Sequence, residues 1–210
     1  MADGSDVAGL RGAALLDALD RVALDGLDVN TVADAIDPRE LGRDDFRRLL
    51  SSLIRLSEDA PAFSLAKVDP TRFATLVSRA SRAQLEAVVA SRPLRERVLD
   101  EIFARMGAHI RVDRARALDA VIHWRLSGGT GAGGYDRYAT TISGGACTVS
   151  RTVEGARPRV TITLSPVDFF RLITHQATPA VLFVTGKIKV KGDLAFAAGL
   201  IGYFDLPKPA

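Results

Sequence analysis

The chain has 210 residues, 47% hydrophobic and 25% charged, an ordinary globular composition with room for one large or two modest domains. Its one cysteine, Cys147, excludes an internal disulfide framework or a cysteine zinc cage and fits a reducing cytoplasm. No window approaches the roughly 18 uncharged apolar residues of a membrane span, so no transmembrane segment is expected.

The acidic start, Met1 to Asp6, lacks the basic-then-apolar order of a secretory signal, and the final Leu206-Pro207-Lys208-Pro209-Ala210 is not a peroxisomal address. The net charge of +3 is unevenly spread: 13 acidic and 7 basic residues stand before residue 61, and 12 acidic and 21 basic residues after it. The basic second half has two readings, an Arg-rich solvated surface or attraction to anionic lipid and acyl-coenzyme A phosphates.

Residues 10 to 108 read as successive helices. Leu10, Leu15, Leu16, Leu19, Val22 and Leu24 recur at helical spacing. Asp28 or Asn30 is placed to cap a short helix through Ile36, stopped by Asp37-Pro38. Asp44-Asp45 opens a helix with an apolar face of Phe46, Leu49, Leu50, Leu53, Ile54 and Leu56, the acidic pair suiting the helix dipole. Asp69-Pro70 is a cap with proline at the first helical position, and Ser81 with Gln84 is a capping box. The two Asp-Pro starts, each ahead of a Phe-led helix, hint at a short internal duplication. A further helix starts at Ser91 and carries Leu94, Val98, Leu99, Ile102, Phe103 and Met106.

After Asp113 the texture changes to short strands. Ala120–Leu126 and Tyr138–Ile142 flank the glycine-rich stretch from Ser127 to Gly134. Ser143-Gly144-Gly145 turns into Ala146–Arg151 as a hairpin, and Arg159–Leu164 alternates with one buried face. Ser165-Pro166 caps a helix from Val167 to Thr174, and Pro179 starts an apolar segment to Val184. Gly186–Gly192 alternates lysine with apolar residues, as an edge strand should, and Asp193 caps a final helix to Phe204.

Chemical motifs are sparse. Gly129-Thr-Gly-Ala-Gly-Gly134 has the spacing of a dinucleotide fingerprint, but a strand follows where that site requires a helix. His109, His123 and His175 have no metal-ligand spacing, and no hydrolase serine elbow is present, so no metal, cofactor or catalytic group is expected. Asp168 and Asp193 read as cap or first-turn residues, the lysines at 187, 189 and 191 as edge protection, and Cys147 as a nucleophile only if a base lies near it in space.

The last helix stands out, because after Asp193 it holds no charge. A helix apolar all round must be covered by core, ligand or partner. Its small residues, Ala195, Ala197, Ala198, Gly199 and Gly202, suit a cavity wall and close helix packing alike.

From Leu99 to Phe204 these elements resemble the sterol carrier protein family. The matching strings are Val160-Thr-Ile-Thr-Leu-Ser-Pro-Val-Asp-Phe-Phe170 and Phe183-Val-Thr-Gly-Lys-Ile-Lys-Val-Lys-Gly-Asp-Leu194. The Trp124 strand and the Gly133-Gly-Tyr-Asp136 loop are similar to bacterial, especially actinobacterial, members with a helical leader. The resemblance implies an α+β domain over residues 92–210, with a five-stranded, mainly antiparallel sheet and covering helices around an apolar tunnel. Residues 1–91 form an all-helical domain of unassigned role.

The implied function is non-catalytic carriage of a sterol, fatty acid or fatty acyl-coenzyme A. The expected tunnel lining, from periodicity and family topology together, is Phe103, Trp124, Phe170, Ile173, Phe183, Ile188, Leu194, Ala197, Leu200, Ile201 and Phe204. The competing reading is an interaction module with a collapsed core, its last helix docked on a second copy or a lipid-metabolising enzyme. A third is an enzyme using Cys147, by analogy with bacterial isomerases that contain a related domain. Nucleic acid is not an expected partner, and the cytoplasm is the expected location.

Overall fold

A computed structural model describes residues 9–20, 28–59, 67–152, 155 and 157–206. The chain divides into two units, of which the second is Leu99–Leu206.

In the first unit, helices start where capping residues stand in the sequence. Helix α1 (Gly12–Leu19) buries Leu15, Leu16 and Leu19, and its expected continuation through Val22 and Leu24 lies outside the described residues. Asp28 caps α2 (Val29–Ala35) by accepting the Thr31 N–H at 2.9 Å. Asn30, the other candidate cap, bridges loop groups instead: it accepts from the Asp69 N–H at 2.8 Å and donates to the Lys67 carbonyl at 3.3 Å. A side-chain amide offers both a donor and an acceptor at neutral pH, which a carboxylate cannot.

Asp37-Pro38 starts a short 3-10 turn, Pro38–Glu40, and Phe46 belongs to the next helix, α3 (Arg43–Asp59). The two Asp-Pro starts therefore share a cap but not the element that follows. Helix α3 buries Phe46, Leu49, Leu53 and Leu56 and packs on α1. Asp69 caps α4 (Pro70–Arg79) through the Thr71 and Arg72 N–H groups. Helix α5 (Arg82–Ala90) opens with a reciprocal capping box, the Ser81 hydroxyl accepting from the Gln84 N–H and the Gln84 Oε1 from the Ser81 N–H at 2.7 Å. Gln84 is buried, and its Nε2 donates to the carbonyls of Pro38 at 2.7 Å and Leu41 at 2.8 Å. One side chain thus caps α5 and holds the 3-10 turn against it.

The second unit begins within helix α6 (Arg92–Ala108), whose Leu99, Ile102, Phe103 and Met106 are buried. A single turn, α7 (Val112–Ala115), leads into the sheet. Its strands are β1 (Asp119–Ser127), β2 (Tyr135–Ser143), β3 (Ala146–Ser150), β4 (Val160–Leu164) and β5 (Ile188–Gly192), in the order β3-β2-β1-β4-β5. The pairing of β1 with β4 is parallel and the other pairings are antiparallel, so the sheet is mixed.

The β2–β3 turn places Gly144 and Gly145 at φ +58° and +84°, the positive pair that a tight hairpin demands. Between β1 and β2, the Gly129 N–H bonds the Gly134 carbonyl at 3.0 Å, and a Cβ on Gly129 would lie 2.1 Å from the Asp136 nitrogen. This loop runs from β1 into β2, where a dinucleotide fingerprint requires a helix.

Alternation puts Ile122, Trp124, Leu126, Tyr138, Ile142, Val160, Ile162, Leu164 and Ile188 in the interior. Ser165 caps α8 (Pro166–Ile173), which buries Phe169, Phe170, Leu172 and Ile173. Thr178 caps α9 (Pro179–Val184), a single helical stretch with only Leu182 buried. The last helix, α10 (Leu194–Gly199), is shorter than its apolar run suggests: it gives way to a 3-10 turn, Leu200–Tyr203, after Gly199. Phe204 is then extended and bridges Ile110, with the Arg111 N–H on the Tyr203 carbonyl at 2.8 Å and the Asp205 N–H on the His109 carbonyl at 2.7 Å.

Replacing Gln84 by Ala removes one arm of the capping box and takes the amide donor from two carbonyls, of which Pro38 keeps the Leu41 N–H at 3.2 Å. The expected loss is about 2–4 kcal/mol, against about 1 kcal/mol for Ser81→Ala. Urea denaturation of both variants checks the ranking.

Candidate functional site

Four elements of the second unit line a half-open cavity of about 350 Å³. Strand β4 contributes Ile162, and β5 contributes Ile188 and Val190. Helix α9 and its cap contribute Thr178, Pro179, Ala180 and Phe183, and α10 contributes Leu194, Ala197 and Ala198. The only polar side chain in this lining is Thr178, and its hydroxyl accepts the Val181 N–H at 3.3 Å as the cap of α9. Such a surface offers no charge and no general acid or base to a bound molecule; it favours an apolar one by keeping it from water. Phe183 and Leu194 line the cavity and are also half-exposed, at 50% and 52%, so they stand at its mouth.

Local chemistry fixes this geometry. Asp193 caps α10 by accepting the Phe196 N–H at 2.8 Å, and its other oxygen takes two bonds from Arg159, from Nε at 2.9 Å and Nη2 at 2.8 Å. The Phe196 N–H and the Arg159 guanidinium hold the Asp193 carboxyl below its ordinary range. The same guanidinium lies over the Phe196 ring, 4.3 Å from its centroid. The α10 wall is therefore clamped to the chain entering β4.

Of the eleven residues expected to line a tunnel, Phe183, Ile188, Leu194 and Ala197 lie on this cavity. Phe103 and Trp124 lie elsewhere, in a closed aromatic cluster. Phe103 stacks on Tyr138 at 4.0 Å and on Phe169 at 5.0 Å, and meets Trp124 edge-on at 5.8 Å. Phe170, Ile173, Leu200 and Phe204 are buried outside the cavity lining, and Ile201 is half-buried in the closing 3-10 turn.

Six lining residues were missed: Ile162, Thr178, Pro179, Ala180, Val190 and Ala198. Two of them were within reach, because Ile162 and Val190 are direct cross-strand partners on the face that also carries Ile188. The α9 residues were hidden because a six-residue apolar run does not declare itself as helix or strand.

The other singled-out residues are dispersed. Lys189 and Lys191 are exposed on β5, an edge strand as expected, and Lys187 lies exposed in the turn before it. Among the described residues no three His, Cys, Asp or Glu side chains group as metal ligands. His123 is pushed below its ordinary value by burial and by Arg125 and Arg137, and so favours the neutral form. Cys147 is half-buried on β3, and burial pushes its thiol up to about 11.

Because its folded value is depressed, the Asp193 carboxylate stabilises the fold above its unfolded value of 3.8, and that contribution fades as pH falls through the lowered one. Asp193→Asn keeps a capping oxygen but loses the ion pair with Arg159. A thermal midpoint below wild type at pH 7, with the gap closing in acid below 3.8, is the expected result of a melting series.

Comparison with known proteins yields a family and several structural likenesses. No curated protein matches the chain. A sec-alkylsulfatase from Pseudomonas sp. superposes with a TM-score of 0.45 at 15% identity, over 84% of this chain but 27% of its own length. Sterol carrier protein 2 from Yarrowia lipolytica gives 0.40 at 23% identity, over 49% of this chain and 86% of its own. Sterol carrier protein 2 like 2 from Aedes aegypti gives 0.38 at 23% identity, over 51% of this chain and 93% of its own. The sequence model of the SCP-2 sterol transfer family matches residues 99–205, just over half the chain and nearly the whole of the second unit. The chain belongs to the SCP-2 sterol transfer family.

Proposed function

We propose that the Leu99–Leu206 unit carries a hydrophobic ligand in the cavity between α9, α10 and the β4–β5 edge, and performs no chemistry on it. The observation that carries this reading is an apolar cavity with half-exposed side chains at its mouth, in a member of a sterol transfer family. Its volume, about 350 Å³, falls at the low end of the roughly 300–1,000 Å³ of ligand pockets. That size favours one acyl chain, from a fatty acid or fatty acyl-coenzyme A, over a whole sterol. Each buried methylene stabilises the complex by about 0.8 kcal/mol, so a chain needs no polar anchor to bind.

Cys147 supports the non-catalytic part of the reading. With its thiol at about 11 it is protonated at neutral pH, and burial accounts for the shift. Alkylation by iodoacetamide at pH 8 is expected to run more than tenfold slower in the folded protein than in denaturant. An equal rate in both states would reopen a reactive-cysteine mechanism.

Ala198 lines the cavity and is itself exposed, so a large side chain fits there without disturbing the interior. Ala198→Trp is expected to weaken binding of a fluorescent fatty acid at least tenfold while leaving the melting temperature nearly unchanged. Mass spectrometry of an organic extract identifies any lipid carried through purification. Wild-type protein that yields no lipid and binds neither a fatty acid nor a sterol probe would sink the carrier reading.

A further inference from the structure

We propose that the mouth of the cavity is a docking surface for an anionic lipid bilayer, an inference that rests on the carrier reading and extends it to where the ligand is exchanged.

Five large hydrophobic side chains are strongly exposed among the described residues, and four of them gather here: Val181, Phe183, Val184 and Leu194. Val184 is the most exposed of all, at 85%. Val181 and Val184 stand three apart on α9 and so share one face, while Leu182 on the opposite side is buried. Phe183 and Leu194 join that face to the cavity, because they line it as well. A continuous apolar path thus runs from the exposed valines to the ligand space.

Charge selects the partner. Between Phe169 and Phe204 the cations are Arg171, Lys187, Lys189 and Lys191, and the only carboxylate is Asp193, already held by Arg159. Lys187 sits in the α9–β5 turn, its N–H on the Leu182 carbonyl at 2.8 Å, three residues from Val184. Lys189 and Lys191 alternate with Ile188 and Val190 and point away from the cavity side, but they lie on a free sheet edge. Their long stems let the ammonium groups reach a plane beyond that edge. Apolar prongs beside a lysine-bearing sheet edge, with no free carboxylate between them, match the acyl boundary and anionic headgroups of a bilayer surface. A bilayer at this mouth also lets an acyl chain pass into the cavity without crossing water.

The test is flotation of the full chain with vesicles of phosphatidylcholine alone or with about 30% phosphatidylglycerol, a leaflet negative enough to attract lysine. Wild type is expected to float with the anionic vesicles and far less with the neutral ones. Val184→Asp is expected to weaken this at least tenfold, and Lys189→Gln with Lys191→Gln by about 25-fold, at roughly fivefold per lysine. None of these three positions lines the cavity, so affinity for a fluorescent fatty acid without vesicles should match wild type in both variants. That second measurement separates the two failures: absent probe binding in wild type overturns the carrier reading, whereas intact probe binding with no flotation overturns the docking surface alone. Equal flotation of variants and wild type also overturns it. So does a wild-type dimer that Val184→Asp dissociates, since the patch would then belong to a second copy.

Discussion

Phe103 stacks between Tyr138 and Phe169, with Trp124 against its edge, and joins helix α6, the sheet and helix α8 in one contact. Each such aromatic pair is worth about 0.5–1.5 kcal/mol beyond its buried area. Tyr138 and Trp124 enter this interior only because their polar atoms are satisfied. The Trp124 Nε1–H donates to Thr140 Oγ1 at 3.0 Å, and the Tyr138 hydroxyl donates to Asp100 at 2.8 Å. Burial, and then Asp100, push the Tyr138 phenol upward, so it stays neutral and keeps donating. Asp100 in turn accepts from Arg151 Nε at 2.7 Å, and that guanidinium covers the Tyr138 ring.

This concentration of bulk on β1, β2 and their helices leaves the β4–β5 end with smaller side chains. Ala180, Ala197, Ala198 and Val190 face one another there and cannot fill the space between two short helices and a strand pair. That space is the cavity. Its wall is kept open by polar bonds. Arg159 anchors β4 to β1 through its N–H on the Val121 carbonyl at 2.8 Å, accepts from the Asp193 N–H at 3.1 Å, and grips the Asp193 carboxylate. Gly192 is required at this crossing, since a Cβ there would lie 2.4 Å from the Arg159 carbonyl oxygen.

Much of the fold was legible because the chain marks its boundaries with short polar residues. Asp69, Ser81, Ser165 and Asp193 each cap the helix read from them. The hairpin at Gly144-Gly145 and the edge position of the lysine strand follow from turn chemistry and alternation. The parallel pairing of β1 with β4 carries no local signature, because nothing in either strand's pattern names its neighbour. The candidate site was legible only in part. Periodicity and family topology together picked out Phe183, Ile188, Leu194 and Ala197, but gave equal weight to Phe103 and Trp124. An apolar residue packed against rings and one facing a void have the same spacing in sequence. What separates them is the volume of their partners across the interior, which only the assembled fold supplies.

Strand β5 is held to the sheet by one ladder alone, five residue pairs from Val160–Gly192 to Leu164–Ile188. The aromatic cluster lies on α6, β1, β2 and α8, none of which β5 hydrogen-bonds. Proteins open in contiguous units of unequal stability, and an edge strand with its flanking short helices is such a unit. The β5 ladder and the aromatic core therefore belong to different parts of the sheet, and their amide protons need not exchange with solvent at one common rate.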